Sequence, residues 1–148
     1  MKIFITLLLL LTLSNAAKID KFASEVGYSR DYTSALKIAK KQNKLIMLVV
    51  VGDYCPWCKK FERKALKSSL IRKKVKKDFI PVVIDNKRDM GKYPKKFHTK
   101  LLPTVYFINP KTEQKVLRVL GYAKKDDFAD MMNEAKKTYS YRYKKKDL

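Results

Sequence analysis

Histidine is nearly absent from this chain: His98 is the only one in 148 residues. With a single imidazole, neither a His-rich metal site nor a Cys-His-acid hydrolase is readily assembled. Glycine is almost as scarce, at four residues, which leaves little material for a phosphate-cradling loop. Two cysteines, Cys55 and Cys58, are too few for a disulfide-rich scaffold, and with one histidine they are not read as a zinc site. Acidic residues are outnumbered, 14 against 35 lysines and arginines, for a formal net charge of +21. A field of that sign draws in acidic partners, anionic membrane surface or nucleic acid in a salt-dependent way, or simply keeps the chain soluble. Lysines spread over every helix face favour the plainer account, and nucleic acid is not an expected partner.

A membrane-spanning run is missing too. Ile3 to Leu13, behind Lys2, is apolar but too short and too early for an ordinary span. Ser14-Asn15-Ala16 follows with small residues, so 1–16 reads as a signal peptide cut between Ala16 and Ala17. An uncleaved anchor is the alternative, and no cysteine follows to carry a lipid. Residues 17–148 then form one domain, for which a hydrophobic fraction of 46% supplies a core.

What is present centres on Asp53-Tyr54-Cys55-Pro56-Trp57-Cys58-Lys59-Lys60. Before it stands an unbroken apolar run, Leu45 to Val51, which reads as a strand buried on both sides. Pro56 suits the first position of a helix, where a missing N–H costs nothing. Cys55 is thus placed at a helix start, where unpaired N–H groups and the positive end of the dipole favour thiolate over thiol. It is the candidate nucleophile.

Along the chain, residues 17–30 show no clear period and are expected to lie across the edge of the fold. Asp31 to Asn43 puts Tyr32, Ala35, Leu36 and Ala39 on one helical face, with Asp31 or Ser29 as cap. Phe61, Ala65 and Leu66 continue the helix after the cysteines until Ser68-Ser69, and Leu70, Ile71 and Val75 mark another. Phe79 to Asp85 reads as a strand in which Pro81 is tolerable near the start. The stretch 86–100 is irregular, with one helical turn near Lys95 to His98. Pro103 to Asn109 and Lys115 to Tyr122, the latter alternating Val116, Arg118 and Leu120 against Leu117 and Val119, form a hairpin, and Phe128, Met131, Met132, Ala135 and Tyr139 line a final helix opened by Asp126-Asp127. The methionines are read as core filler. Alternating elements followed by a hairpin imply an α/β fold, a central mixed β-sheet with helices on both faces.

At this point the chain resembles the thioredoxin-fold superfamily, and more narrowly its exported members with a Cys-Pro-Trp-Cys site. The resemblance rests on the apolar strand into Cys55-Pro56-Trp57-Cys58, on Phe79 to Asp85, on Leu102-Pro103-Thr104 and on Gly121-Tyr122, and it covers about 28–139. It implies that Cys55 attacks, that Cys58 resolves, and that Pro103 is a cis-proline facing the sulfurs, with the Leu102 backbone free to pair with a substrate peptide. Trp57 and Tyr54, beside the sulfurs, are the other expected substrate contacts. Many thioredoxins carry a buried aspartate six residues before the first cysteine; here that position is Val49. Glu62, four residues after Cys58 and on the same helical face, resembles the glutamate found there in the thiol-transfer domain of a bacterial transmembrane reductase. It is the candidate proton handler, against the plainer reading of a surface residue paired with lysines. Asp53 is a weaker candidate.

The activity so implied is thiol:disulfide oxidoreduction without a cofactor, on protein disulfides and with an unidentified redox partner protein. Pro-Trp lacks the histidine of strongly oxidising members, so the expected potential lies between about −270 and about −120 mV, nearer the reducing end. A non-catalytic basic or chaperone-like module with a static disulfide is the alternative. The tail, about 140–148, interleaves lysines and tyrosines; it reads as a solvated extension or as a contact for an anionic surface. Its end, Lys145-Lys146-Asp147-Leu148, lacks the glutamate of an endoplasmic-reticulum retention signal. The expected compartment is the bacterial periplasm, with the endoplasmic-reticulum lumen or a membrane anchor as alternatives.

Overall fold

The computed structural model describes residues 18–144. The expected signal peptide and the last four residues of the tail lie outside them. Four strands form one mixed sheet in the order β2-β1-β3-β4. Strand β1 (Leu45–Val51) runs parallel to β2 (Phe79–Asp85) and antiparallel to β3 (Thr104–Ile108), which pairs antiparallel with β4 (Lys115–Leu120).

Burial explains why β1 is apolar throughout rather than alternating. Leu45, Met47, Val49 and Val51 belong to one core cluster, while Ile46, Leu48 and Val50 belong to a second on the opposite face. Both clusters need apolar side chains, so both parities of the strand are hydrophobic. The first face is covered by helix α1 (residues 18–26), α3 (Pro56–Phe61), α4 (Ser69–Asp78) and α5 (Lys125–Tyr139). The second is covered by α2 (Tyr32–Gln42) with Tyr93 and Phe97.

Helix boundaries follow local chemistry. The Asp31 side chain accepts the Ser34 N–H at 3.1 Å to start α2, and Asn43, in the left-handed region at φ 50°, ends it. Ser68 caps α4 through the Ile71 N–H. The single turn expected near Lys95 is a 3-10 turn, Lys95–Phe97.

Two features differ from the sequence expectation. Residues 18–26 are helical: Ile19, Phe22 and Ala23 bury on the core, a face too short to show a period. The segment after them does reach the sheet edge, where Ser29 bridges β2 by donating to the Pro81 carbonyl and accepting from the Val83 N–H. That pairing also explains Pro81. Its backbone faces the outer edge of an edge strand, where only an acceptor is used and a missing donor costs nothing. In β4 the burial does not alternate: Val116 and Val119 are buried, because the register shifts opposite Phe107 and Ile108 and inserts one residue.

Candidate active site

Strand β1 ends at Val51, and four residues later the chain enters α3 with Cys55 as its N-cap and Pro56 at its first position. Cys55 and Cys58 are joined in a disulfide with S–S 2.16 Å. The two sulfurs are not equivalent. Cys58 is 1% exposed and packed in the core cluster, whereas Cys55 is half-buried at its margin. The Cys55 Sγ accepts the Cys58 N–H at 3.2 Å, so a backbone donor of the first helical turn is aimed at the outer sulfur.

Beside Cys55 opens a cavity of about 390 Å³. Gly52, Asp53 and Tyr54 line it from the loop, Lys59 and Glu62 from the helix, Asp85 from the end of β2, and Lys18 and Ile19 from α1. Glu62 opens a π-helical turn, Glu62–Leu66, in which α3 widens by one residue. Its N–H donates to the Cys58 carbonyl, which sets it one turn below the inner sulfur. The residue is 7% exposed, and burial pushes its carboxyl above the usual range, opposed chiefly by the Lys59 ammonium at 3.4 Å. Glu62 is therefore a buried acid in the cavity wall and not a surface residue among lysines. Asp53, at the rim, is paired with Arg88 at 2.8 Å.

Across the sheet, β3 pairs Thr104 with Val50, so Pro103 lies one residue beyond that pair, level with the end of β1. The Leu102–Pro103 peptide is cis. Its loop presses on the strand that leads to Cys55: a Cβ at Gly52 would meet Leu102 Cδ1 at 2.7 Å. The Thr104 hydroxyl donates to the Leu101 carbonyl at 2.6 Å, and the Gly121 N–H donates to the Pro103 carbonyl at 2.8 Å. The first bond ties the loop to the start of β3 and the second to the residue just past β4.

Trp57 and Tyr54 are both exposed, 56% and 93%. Trp57 stacks on Tyr122 at 6.0 Å between ring centroids, and Lys60 Nζ lies 4.9 and 4.8 Å from the two rings. An ammonium held over two ring faces rigidifies both. The part of Lys60 in this arrangement, and that of Lys18 and Ile19 in the cavity, was not legible beforehand. Such contacts are made between elements distant in sequence, and only the Gly121-Tyr122 pair left a signal. Among the described residues no group of three or more His, Cys, Asp or Glu side chains is placed to hold a metal ion.

The sequence model of the thioredoxin-like domain matches residues 32–136. A Thioredoxin H-type protein of Brassica campestris is 29% identical over 105 residues, 71% of this chain and 80% of that protein. A thioredoxin from Thermus thermophilus superposes with a TM-score of 0.67 at 17% identity, covering 77% of this chain and 91% of the other. The oxidised C-terminal domain of DsbD from Neisseria meningitidis does so with a TM-score of 0.58 at 18% identity, covering 73% and 98%. The family match runs across every element that carries the sulfurs, and this chain therefore belongs to the thioredoxin-like domain family, as a thiol:disulfide oxidoreductase.

Proposed function

We propose that the protein is an exported reductase or isomerase of disulfides in other exported proteins, cycling between the Cys55–Cys58 disulfide and the dithiol. The observation that carries this reading is the unequal exposure of the bonded pair, with Cys58 buried and Cys55 at the surface beside a cavity. Only the outer sulfur can meet a protein disulfide, and only the inner one is sheltered from it.

In the reduced protein, the N–H that points at Cys55 Sγ and the Lys59 ammonium in the same cavity favour the thiolate of Cys55. That thiolate attacks one sulfur of the substrate disulfide, forming a mixed disulfide and releasing the other sulfur as a thiolate. Cys58 then loses its proton and attacks Cys55 Sγ. The mixed bond breaks, the substrate leaves as a dithiol after taking up two protons, and the protein holds the disulfide. Two electrons pass to the substrate, and run backwards the same steps oxidise it. Glu62, one turn from Cys58 and held up in proton affinity by burial, takes the Cys58 proton. The Leu102 backbone pairs with the substrate chain beside Pro103, and Trp57 and Tyr54 supply exposed apolar contacts.

Export rests on the Lys2 to Ala16 pattern; among the described residues no helix is long and apolar enough to cross a membrane. Insulin reduction tests the chemistry: Cys55→Ser is expected to abolish turnover, and turnover equal to wild type would remove the reading in favour of a static disulfide. Cys58→Ser is expected to accumulate a mixed disulfide with its client. Equilibration with glutathione is expected to place the potential nearer about −270 than about −120 mV, and a value at the oxidising end would overturn the reductive direction.

A further inference from the structure

A second cavity, of about 530 Å³, opens at the other end of the sheet from the sulfurs. Lys44, just before β1, and Arg72, Lys73 and Lys76 of α4 line it, over a floor of Val75, Phe79 and Ile80. Seven strand residues, roughly 20 Å, separate this end of β1 from the end that leads to Cys55. None of the four cations is engaged by a carboxylate among the described residues. The acid nearest in sequence to this end, Asp78, is already matched by Lys136 at 2.8 Å.

The same end receives the C-terminal segment. The Tyr139 hydroxyl donates to Asn43 Oδ1 at 2.8 Å, one residue from Lys44, and Tyr141, 75% exposed, and Arg142 follow. A smaller cavity of about 170 Å³ shares Lys44 and adds Lys77, beside the matched pair of Lys136 and Asp78. Positive charge is thus gathered at one pole, over apolar surface and beside an exposed tyrosine.

We propose that this pole docks on an anionic bilayer, with lipid phosphate over Lys44, Arg72, Lys73 and Lys76 and the start of the acyl chain against Val75, Phe79 and Ile80. Lysine and arginine gain about 1 kcal/mol each near an anionic leaflet, and tyrosine suits the headgroup level. A single-stranded nucleic acid would use the cations and Tyr141 but not the floor, since its bases stack on exposed aromatic faces and Phe79 is only 2% exposed. Docking in this pose turns Cys55 away from the bilayer, toward clients in solution.

The test is co-sedimentation of the full chain with vesicles of phosphatidylcholine alone or with phosphatidylglycerol added. The readout is the difference between the two, because the apolar residues 3–13 contribute equally to both. Binding to the anionic vesicles is expected, weakening with salt. Lys73→Glu with Lys76→Glu is expected to weaken it by about tenfold or more, with insulin reduction unchanged. Lys87→Glu with Lys100→Glu, the same charge change at the sulfur end, is expected to leave most of it. Equal loss in both double variants, no preference for anionic vesicles, or tighter retention by single-stranded nucleic acid at equal salt would each overturn the proposal.

Discussion

Glu62 is the side chain on which most of the chemistry can be tested alone. Position 49, where the resemblance leads one to expect an acid, is a fully buried valine in the middle of β1; the cavity's buried carboxylates are Asp85, whose Oδ1 accepts the Lys87 and Arg88 N–H groups at the end of β2, and Glu62, directly after the helix that carries the sulfurs. Glu62→Gln keeps the shape and removes the proton acceptor. Resolution of a preformed mixed disulfide by Cys58, followed by rapid quench, is expected to slow by about a hundredfold, the usual scale of lost general-base assistance. Capture of substrate by Cys55 should change much less. Stability carries a second signature. Because burial holds the folded-state carboxyl above its ordinary value of 4.5, the folded protein binds that proton more tightly than the unfolded chain. Stability contributed by Glu62 therefore falls as pH rises from its ordinary value through the raised one. Urea midpoints across that window are expected to decline more steeply in wild type than in Glu62→Gln. At this scale the cysteines, Glu62, Trp57 and Pro103 could be named as candidates from the chain, because the Cys-Pro-Trp-Cys and Leu102-Pro103-Thr104 stretches carry its resemblance to thioredoxins. The burial of Glu62 could not, since the lysines around it read equally well as a surface.

Helix α1 shows how much an element depends on what lies over it. Its sequence, with four charged residues in nine, has no helical period long enough to stand out, yet Phe22 is 3% exposed and meets Tyr28 edge to face at 5.8 Å. The helix is latched by Arg30 to Asp20 at 2.8 Å and by a Lys67 to Glu25 contact, and its first residues wall the cavity at Cys55. Phe22→Ala is expected to cost about 3 kcal/mol, read as a lower urea midpoint at unchanged slope. A loss below about 0.5 kcal/mol would mean that α1 is only draped on the domain. Strands β1 and β2, by contrast, were legible at their bounds, and β3 to within one residue at each end. Largely apolar runs of five to seven residues, rich in β-branched and aromatic side chains and marked off by Asn43, Asp85 and Pro103, leave few other solutions. The bulge in β4 left no such mark, because an inserted residue is decided by the partner strand.

For the molecule as a whole, charge is the dominant global property. A net +21 on a chain of this size repels itself in the compact state more than in the expanded one. Raising sodium chloride from low to physiological strength, where the screening length falls to about 8 Å, is expected to raise the urea midpoint. A flat or falling dependence would show that the lysines are compensated locally. Sequence alone determined that two sulfurs with two residues between them begin a helix behind a doubly buried strand, and that a mixed sheet carries them. Those are local facts, set by hydrophobic period, capping and the intolerance of proline for a helix interior. The chain already pointed to Cys55 as the outer, attacking sulfur; only the tertiary structure decided that α1 and the Leu102 loop close on the site, and that cations with no carboxylate partner among the described residues collect at the far pole. Exposure, cavity shape and the clustering of charge are sums over segments far apart in the chain, and no window of neighbouring residues contains them.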